Sequence, residues 1–192
     1  MKTAYDHGVN FFDCAESYYA GECERVVGQV VRKLGWKRSD LVISTKMYHN
    51  VGPNANGLSR KHLIEGTKDS LERLQMDYVD LIFAHRPDPL TPMEEVVRAF
   101  NFIIEKGWAF YWGTSEWSAA QINEAIGIAK DLKLIPPVME QPEYSMFHRE
   151  RFEAEFAPLY KAHKLGTTIW SALGSGVLSG KYNDGIPKGS RF

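Results

Sequence analysis

With 192 residues, 44% apolar and 24% charged, the chain has the make-up of one ordinary globular domain with a sizeable core. A net charge of −1 and the lack of a basic stripe disfavour nucleic-acid or anionic-membrane partners. The longest apolar runs, such as residues 78–84, are too short to span a bilayer, and residues 1–7 hold no apolar signal core. Cys14 and Cys23 make neither a disulfide framework nor a metal-binding spacing, so the expected compartment is the reducing cytosol.

Residues 1–8 read as the end of a helix stopped by Gly8, and residues 9–13 as a first strand ending on Asp13. A helix over residues 22–34 carries Val26, Val27, Val30, Val31 and Leu34 as its apolar stripe and ends at Gly35. Residues 41–46 form the second strand, ending on Lys46. After a Gly-, Asn- and Pro-rich loop, Ser59 caps a helix over residues 60–74. The third strand, residues 78–84, is followed at once by His85. Thr91-Pro92-Met93-Glu94 has the pattern of a capping box with proline at the first helical position, opening a helix that stops at Gly107.

The fourth strand covers residues 109–115, and Ser118 with Gln121 forms a second capping box ahead of the next helix. Residues 137–141 are the fifth strand, residues 150–164 a helix, residues 167–171 the sixth strand, and the remainder is rich in Gly and Ser. Strands recurring about every 30 residues with amphipathic helices between them describe βα units of a parallel sheet. An open doubly wound sheet and a (β/α)8 TIM barrel both have this pattern. No G-x-G-x-x-G follows any strand. Polar residues instead stand at successive strand ends: Asp13, Lys46, His85, Ser115, Gln141 and Ser171. A barrel brings those ends to one mouth, where barrel enzymes keep their active sites. The expectation is therefore an incomplete barrel, six of eight units, in a single domain over residues 1–192 that lacks a first strand and the last one or two units.

Taken singly, these side chains have ordinary structural readings: a capping carboxylate, a packed tyrosine, a solvated lysine, a histidine bonded to backbone. Together they suit carbonyl reduction. Hydride transfer to a carbonyl needs a proton donor beside the oxygen, and a phenol is a reluctant one near neutral pH. An ammonium next to Tyr18 favours the phenolate, which is how Lys46 would serve it, with Asp13 holding Lys46 charged and aimed. His85 would orient the substrate oxygen or share its proton.

In order and context, Asp13, Tyr18, Lys46 and His85 resemble the Asp–Tyr–Lys–His tetrad of the aldo-keto reductases. The chain is most similar to the branch containing the voltage-gated potassium channel β subunits. The segments that carry the resemblance are FFDCAESYYAGECE, LVISTK, GLSRKHLIEGTKDSLERLQMDYVDLIFAHRPDP, YWGTSEWS, LIPPVMEQPEYSMFHRE and SGKYNDGIP, nearly the whole chain.

The resemblance implies NADPH as cofactor, an aldehyde or ketone as substrate, and Tyr18 as general acid. It implies that Ser115 and Gln141 bond the nicotinamide carboxamide and that Trp170 stacks on the ring. It further implies that Ser171, Leu173, Gly174, Ser175 and Gly176 line the pyrophosphate, with charge from Lys181 and Arg191. Animal channel subunits carry asparagine in place of His85, and Glu116 stands where the branch is often basic. The resemblance also implies a second role, a cytosolic subunit docked on a membrane channel α subunit with NADPH as redox signal. The branch forms homotetramers, which a complete barrel would share, and an inactive fragment of either protein is the third reading.

Overall fold

The computed structural model describes residues 1–50 and 52–190. Six parallel strands run in chain order, β1 (Phe11–Asp13), β2 (Val42–Met47), β3 (Val79–Ala84), β4 (Ala109–Ser115), β5 (Met139–Gln141) and β6 (Gly166–Thr167). Between them stand α2 (Glu22–Leu34), α3 (Arg60–Leu74), α4 (Met93–Glu105), α5 (Ala119–Asp131) and α6 (Ala157–His163), with the short α1 (Lys2–Asp6) ahead of β1. Each strand pairs only with its neighbours in sequence, so the sheet curls as part of a (β/α)8 barrel.

Alternation along the strands separates two faces. Ile43 and Met47, Ile82 and Ala84, and Trp112 point to the helices and belong to the main core. On the other face, Lys46 is in register with Phe83, and Phe83 with Gly113. Helix α4 shows what seals the outer layer. Val96, Val97, Phe100 and Ile103 are all buried, and Phe100 stacks on Trp112 with ring centroids 4.7 Å apart. Each such side chain contributes about 1.5–3 kcal/mol of transfer free energy. On the concave face Tyr111, in register with Leu81, is 52% exposed, because no opposite wall covers it among the described residues.

Several local expectations are met and several are not. Ser59 caps α3, accepting from the His62 N–H, and Ser118 with Gln121 forms the capping box of α5. The box expected at Thr91–Glu94 does not form. Pro92 takes the N-cap position of α4, and Thr91 Oγ1 donates to Asp88 Oδ2 instead. The helix expected over residues 150–164 is broken. A π-type turn covers Arg151–Glu155, and Pro158 stands in the first turn of α6, its ring having no N–H to continue a longer helix. In α2, Val27 and Val31 are buried but Val26 is 44% exposed. At 100° per residue it lies opposite Gly28, the point of contact with α3. The sixth strand shrinks to two residues and resumes only as a bridge between Glu143 and Trp170, since it pairs on one side alone.

Candidate active site

Strand β1 is short because its third residue is already the site. Asp13 leaves the ladder opposite Ser44, whose Oγ donates to Asp13 Oδ1 at 2.5 Å. Two residues further along the same face of β2, Lys46 is fully buried. Its ammonium donates to Asp13 Oδ2 at 2.5 Å, to the Cys14 carbonyl at 2.8 Å and to the Tyr18 hydroxyl at 3.2 Å. All three ammonium protons are thereby committed. Because Lys46 donates to the Tyr18 oxygen, the phenol's own proton points elsewhere, and the side chain is 38% exposed.

His85 follows β3 with its N–H bonded to the Met47 carbonyl, and its ring stands edge-on to Tyr18 at 5.8 Å. Burial, then the charges of Lys46 and Arg86, lower its pKa to about 3. It is therefore a neutral imidazole at physiological pH, and its buried Nδ1 has no hydrogen-bond partner among the described residues. Ser115 Oγ donates to the Gln141 carbonyl at 2.8 Å, and Arg86 Nη1 reaches Ser115 Oγ at 3.3 Å. Gln141 Nε2 donates to Thr168 Oγ1 at 2.9 Å and lies 3.4 Å from Asp13 Oδ2. That last contact joins the first strand to the fifth across the mouth.

The structure thus brings six of the predicted residues to one rim: Asp13, Tyr18, Lys46, His85, Ser115 and Gln141. The others occupy the segment from Trp170 on. Trp170 is 38% exposed and its Nε1 donates to Glu116 Oε1 at 2.9 Å. Ser171, Gly174, Ser175 and Gly176 all have positive φ, and Leu173 beside them is exposed. Lys181 lies along Gly176, 2.6 Å from where a Cβ would stand, with its ammonium 4.8 Å from the Tyr182 ring centroid. Arg191 lies outside the described residues. A cleft of about 790 Å³ opens beyond Glu116, lined by Glu143, Phe147, Arg149 and Arg151 rather than by the tetrad.

Sequence reasoning missed the group that fixes the Tyr18 loop. Glu16 is fully buried and accepts from Tyr48 N at 2.8 Å, Asn50 Nδ2 at 3.0 Å and His62 Nε2 at 3.1 Å. The other His62 nitrogen faces the Gly57 carbonyl at 2.8 Å. Burial opposes charge on His62, but the Glu16 bond and charge outweigh it and raise the pKa. From the far side Arg73 packs against Gly21 and bonds Glu24, closing the turn after Tyr18. Ser44 had a readable signal, since it sits two residues before Lys46 on one strand face. Glu16 and His62, 46 residues apart, had none.

The chain belongs to the Aldo/keto reductase family, whose sequence model matches residues 1–191. Among the family's named members it is similar to a "Probable voltage-gated potassium channel subunit beta" of Arabidopsis thaliana, 63% identical over 194 residues. A protein of the same description from Oryza sativa subsp. japonica is 57% identical over 194 residues. A "Putative voltage-gated potassium channel subunit beta" of Schizosaccharomyces pombe is 55% identical over 195. Each alignment takes in the whole of this chain but only 57–59% of the relative. No helix among the described residues is long and apolar enough to cross a membrane.

Proposed function

We propose that the protein to which this chain belongs is an NADPH-dependent reductase of aldehydes or ketones, acting in the cytosol with Tyr18 as general acid. The observation that carries this reading is the commitment of the Lys46 ammonium. With its three donors on Asp13, Cys14 and Tyr18, it leaves the Tyr18 proton available at an exposed position. The family match supports an oxidoreductase.

The residues present suit the cofactor. A hydroxyl (Ser115) and an amide (Gln141) sit at the rim, and an indole, Trp170, is partly exposed. Beyond it comes a tight positive-φ turn that small residues make, which lets a pyrophosphate approach backbone closely. Ser115 and Gln141 would hold the carboxamide, Trp170 the ring, and Ser171, Leu173, Gly174, Ser175, Gly176 and Lys181 the pyrophosphate. NADPH, when bound, supplies the hydride. Tyr18 gives its proton to the carbonyl oxygen, and Lys46 stabilises the phenolate left behind. Asp13 keeps Lys46 charged and aimed. His85, neutral and with a free ring nitrogen, orients the carbonyl.

The test is Tyr18→Phe, assayed for NADPH binding by fluorescence and for consumption of a simple aldehyde. Binding should stay within about threefold while turnover falls by about 10²-fold or more, the range for loss of a general acid. Retained turnover would remove the assignment. The names of the relatives favour a second role, docking on a membrane channel α subunit. Co-purification of the intact protein with a channel, set against its aldehyde turnover, separates the two.

A further inference from the structure

One carboxylate that the proposed proton transfer does not use stands among the residues that suit the cofactor. Glu116 follows Ser115 directly as β4 ends, and its backbone is left-handed, with φ of 59°. A residue with a side chain is strained in that conformation, so its surroundings have to hold it there. Three bonds do so: Glu116 Oε1 accepts from the Glu143 N–H at 2.6 Å and from Trp170 Nε1 at 2.9 Å, and Oε2 accepts from Arg151 Nη1 at 2.7 Å. The end of β4, the chain just beyond Gln141, the chain just beyond β6 and the π-type turn therefore meet on one side chain.

Trp170 depends on this carboxylate more than the other partners do. Its backbone lies past the short β6, with its N–H bonded to the Pro142 carbonyl at 3.2 Å and its carbonyl accepting from the Tyr144 N–H at 3.4 Å. Ser171, next to it, is also left-handed, with φ of 57°. The indole is 38% exposed, and among the described residues its hydrogen bond goes to Glu116 alone. Ser115 and Gln141, by contrast, are buried, and their side chains bond the Gln141 carbonyl and Thr168 Oγ1 without help from Glu116.

We propose that Glu116 is a positioning residue that fixes the Trp170 indole for stacking on the nicotinamide, and so sets the affinity for the ring end of the cofactor. The inference rests on the reading of Trp170 given above. An exposed indole free to turn about its side-chain bonds has to be ordered each time a ligand binds, which weakens binding. A carboxylate on its N–H, itself held by Arg151 and the Glu143 N–H, orders the ring beforehand through a charge-assisted bond. The other role these contacts allow is a tie between loops. The two roles differ in what they predict for a ligand that lacks the ring.

The experiment titrates the intact protein and its variants calorimetrically with NADPH and with 2′-phospho-ADP-ribose, which has no nicotinamide. Glu116→Gly removes the carboxylate where glycine accepts the left-handed backbone. It should weaken NADPH about tenfold, as loss of a bond to a charged group does, and leave 2′-phospho-ADP-ribose within about twofold. Glu116→Gln keeps an acceptor for Trp170 Nε1 and the Glu143 N–H, and should bind NADPH within about threefold of the wild type. Trp170→Leu should weaken NADPH at least as much as Glu116→Gly, and combining the two should add nothing further. Circular dichroism checks that each variant is folded. Where Glu116→Gly is not, Glu116→Asn, shorter by a methylene and suited to the same backbone, is read in its place. Equal weakening of both ligands by Glu116→Gly would make the residue a loop tie and overturn the proposal. So would unchanged NADPH binding there, an additive double variant, or glutamine behaving as glycine does. Full NADPH affinity in Trp170→Leu would instead overturn the stacking reading, and this inference with it.

Discussion

Replacing Asp13 by asparagine tests what holds the site together. The Lys46 side chain is fully buried and its countercharge is Asp13, 2.5 Å away. The remaining acceptors, the Cys14 carbonyl and the Tyr18 hydroxyl, are neutral. Removing one partner of a buried pair costs about 3–5 kcal/mol, mostly from the stranded charge. Asp13 is 32% exposed, so water already reaches one end of this pair. The expected loss for Asp13→Asn is accordingly about 2–3 kcal/mol. Lys46→Met removes the buried charge and leaves Asp13 with Ser44 as a donor and with solvent, for about 1 kcal/mol. The double variant strands no ammonium. It should lose at least about 1 kcal/mol less than the two single losses combined. Urea unfolding followed by circular dichroism reads this. With a slope of about 2 kcal/mol/M, the asparagine variant's midpoint falls by roughly 1–1.5 M at unchanged slope. A shift below about 0.3 M, or a cycle additive within about 0.5 kcal/mol, would refute the claim that Asp13 and Lys46 depend on each other.

Two further predictions concern the frame around the site. Glycine in a helix interior is usually improved by alanine, by about 1 kcal/mol. At Gly127 of α5 a Cβ meets nothing within 4 Å, so Gly127→Ala should raise stability by about 0.5–1 kcal/mol in urea unfolding. At Gly28 of α2 a Cβ would fall 2.1 Å from the Leu74 carbonyl oxygen, so the sign reverses. Gly28→Ala should cost about 2 kcal/mol or more, and equal effects at the two glycines would contradict the close α2–α3 approach. Burial lifts Glu140 to about 8 from 4.5, against the donors Thr114 and Trp117 N–H and with the Glu116 charge adding to it. The folded state then keeps a proton that the unfolded chain releases. Stability from this group is complete below about pH 4.5 and drains away as pH rises through 8. Glu140→Gln should therefore gain on the wild type by roughly 3 kcal/mol between pH 5 and pH 8, and a pH-independent difference would show the carboxyl to be ionised throughout.

Much of the scaffold was legible because βα units write themselves in local chemistry. The stripe and flanking glycines of α2 gave its bounds, Glu22–Leu34, and the Ser118–Gln121 pair gave the start of α5. Failures came where neighbours outside the segment decide. Thr91 has the spacing of a cap, but Asp88 already gathers the Leu58 and Leu90 N–H groups and takes the Thr91 hydroxyl as well. The last strand reads as five residues, 167–171, yet an edge that pairs on one side holds two, Gly166–Thr167.

The rim residues divide the same way. That Asp13, Lys46, His85, Ser115 and Gln141 stand at or within one residue of the ends of successive strands follows from the sequence, because strand termini are set by where the apolar run stops. Parallel pairing then carries those ends to one side. That Lys46 uses all three protons, that His85 is neutral with an unpartnered nitrogen, and that Glu16 meets His62 depended on tertiary structure alone. Periodicity reports which face of an element is buried. Hydrogen bonds and charge interactions act over a few ångströms, and only the folded chain fixes distances that small between residues far apart in sequence.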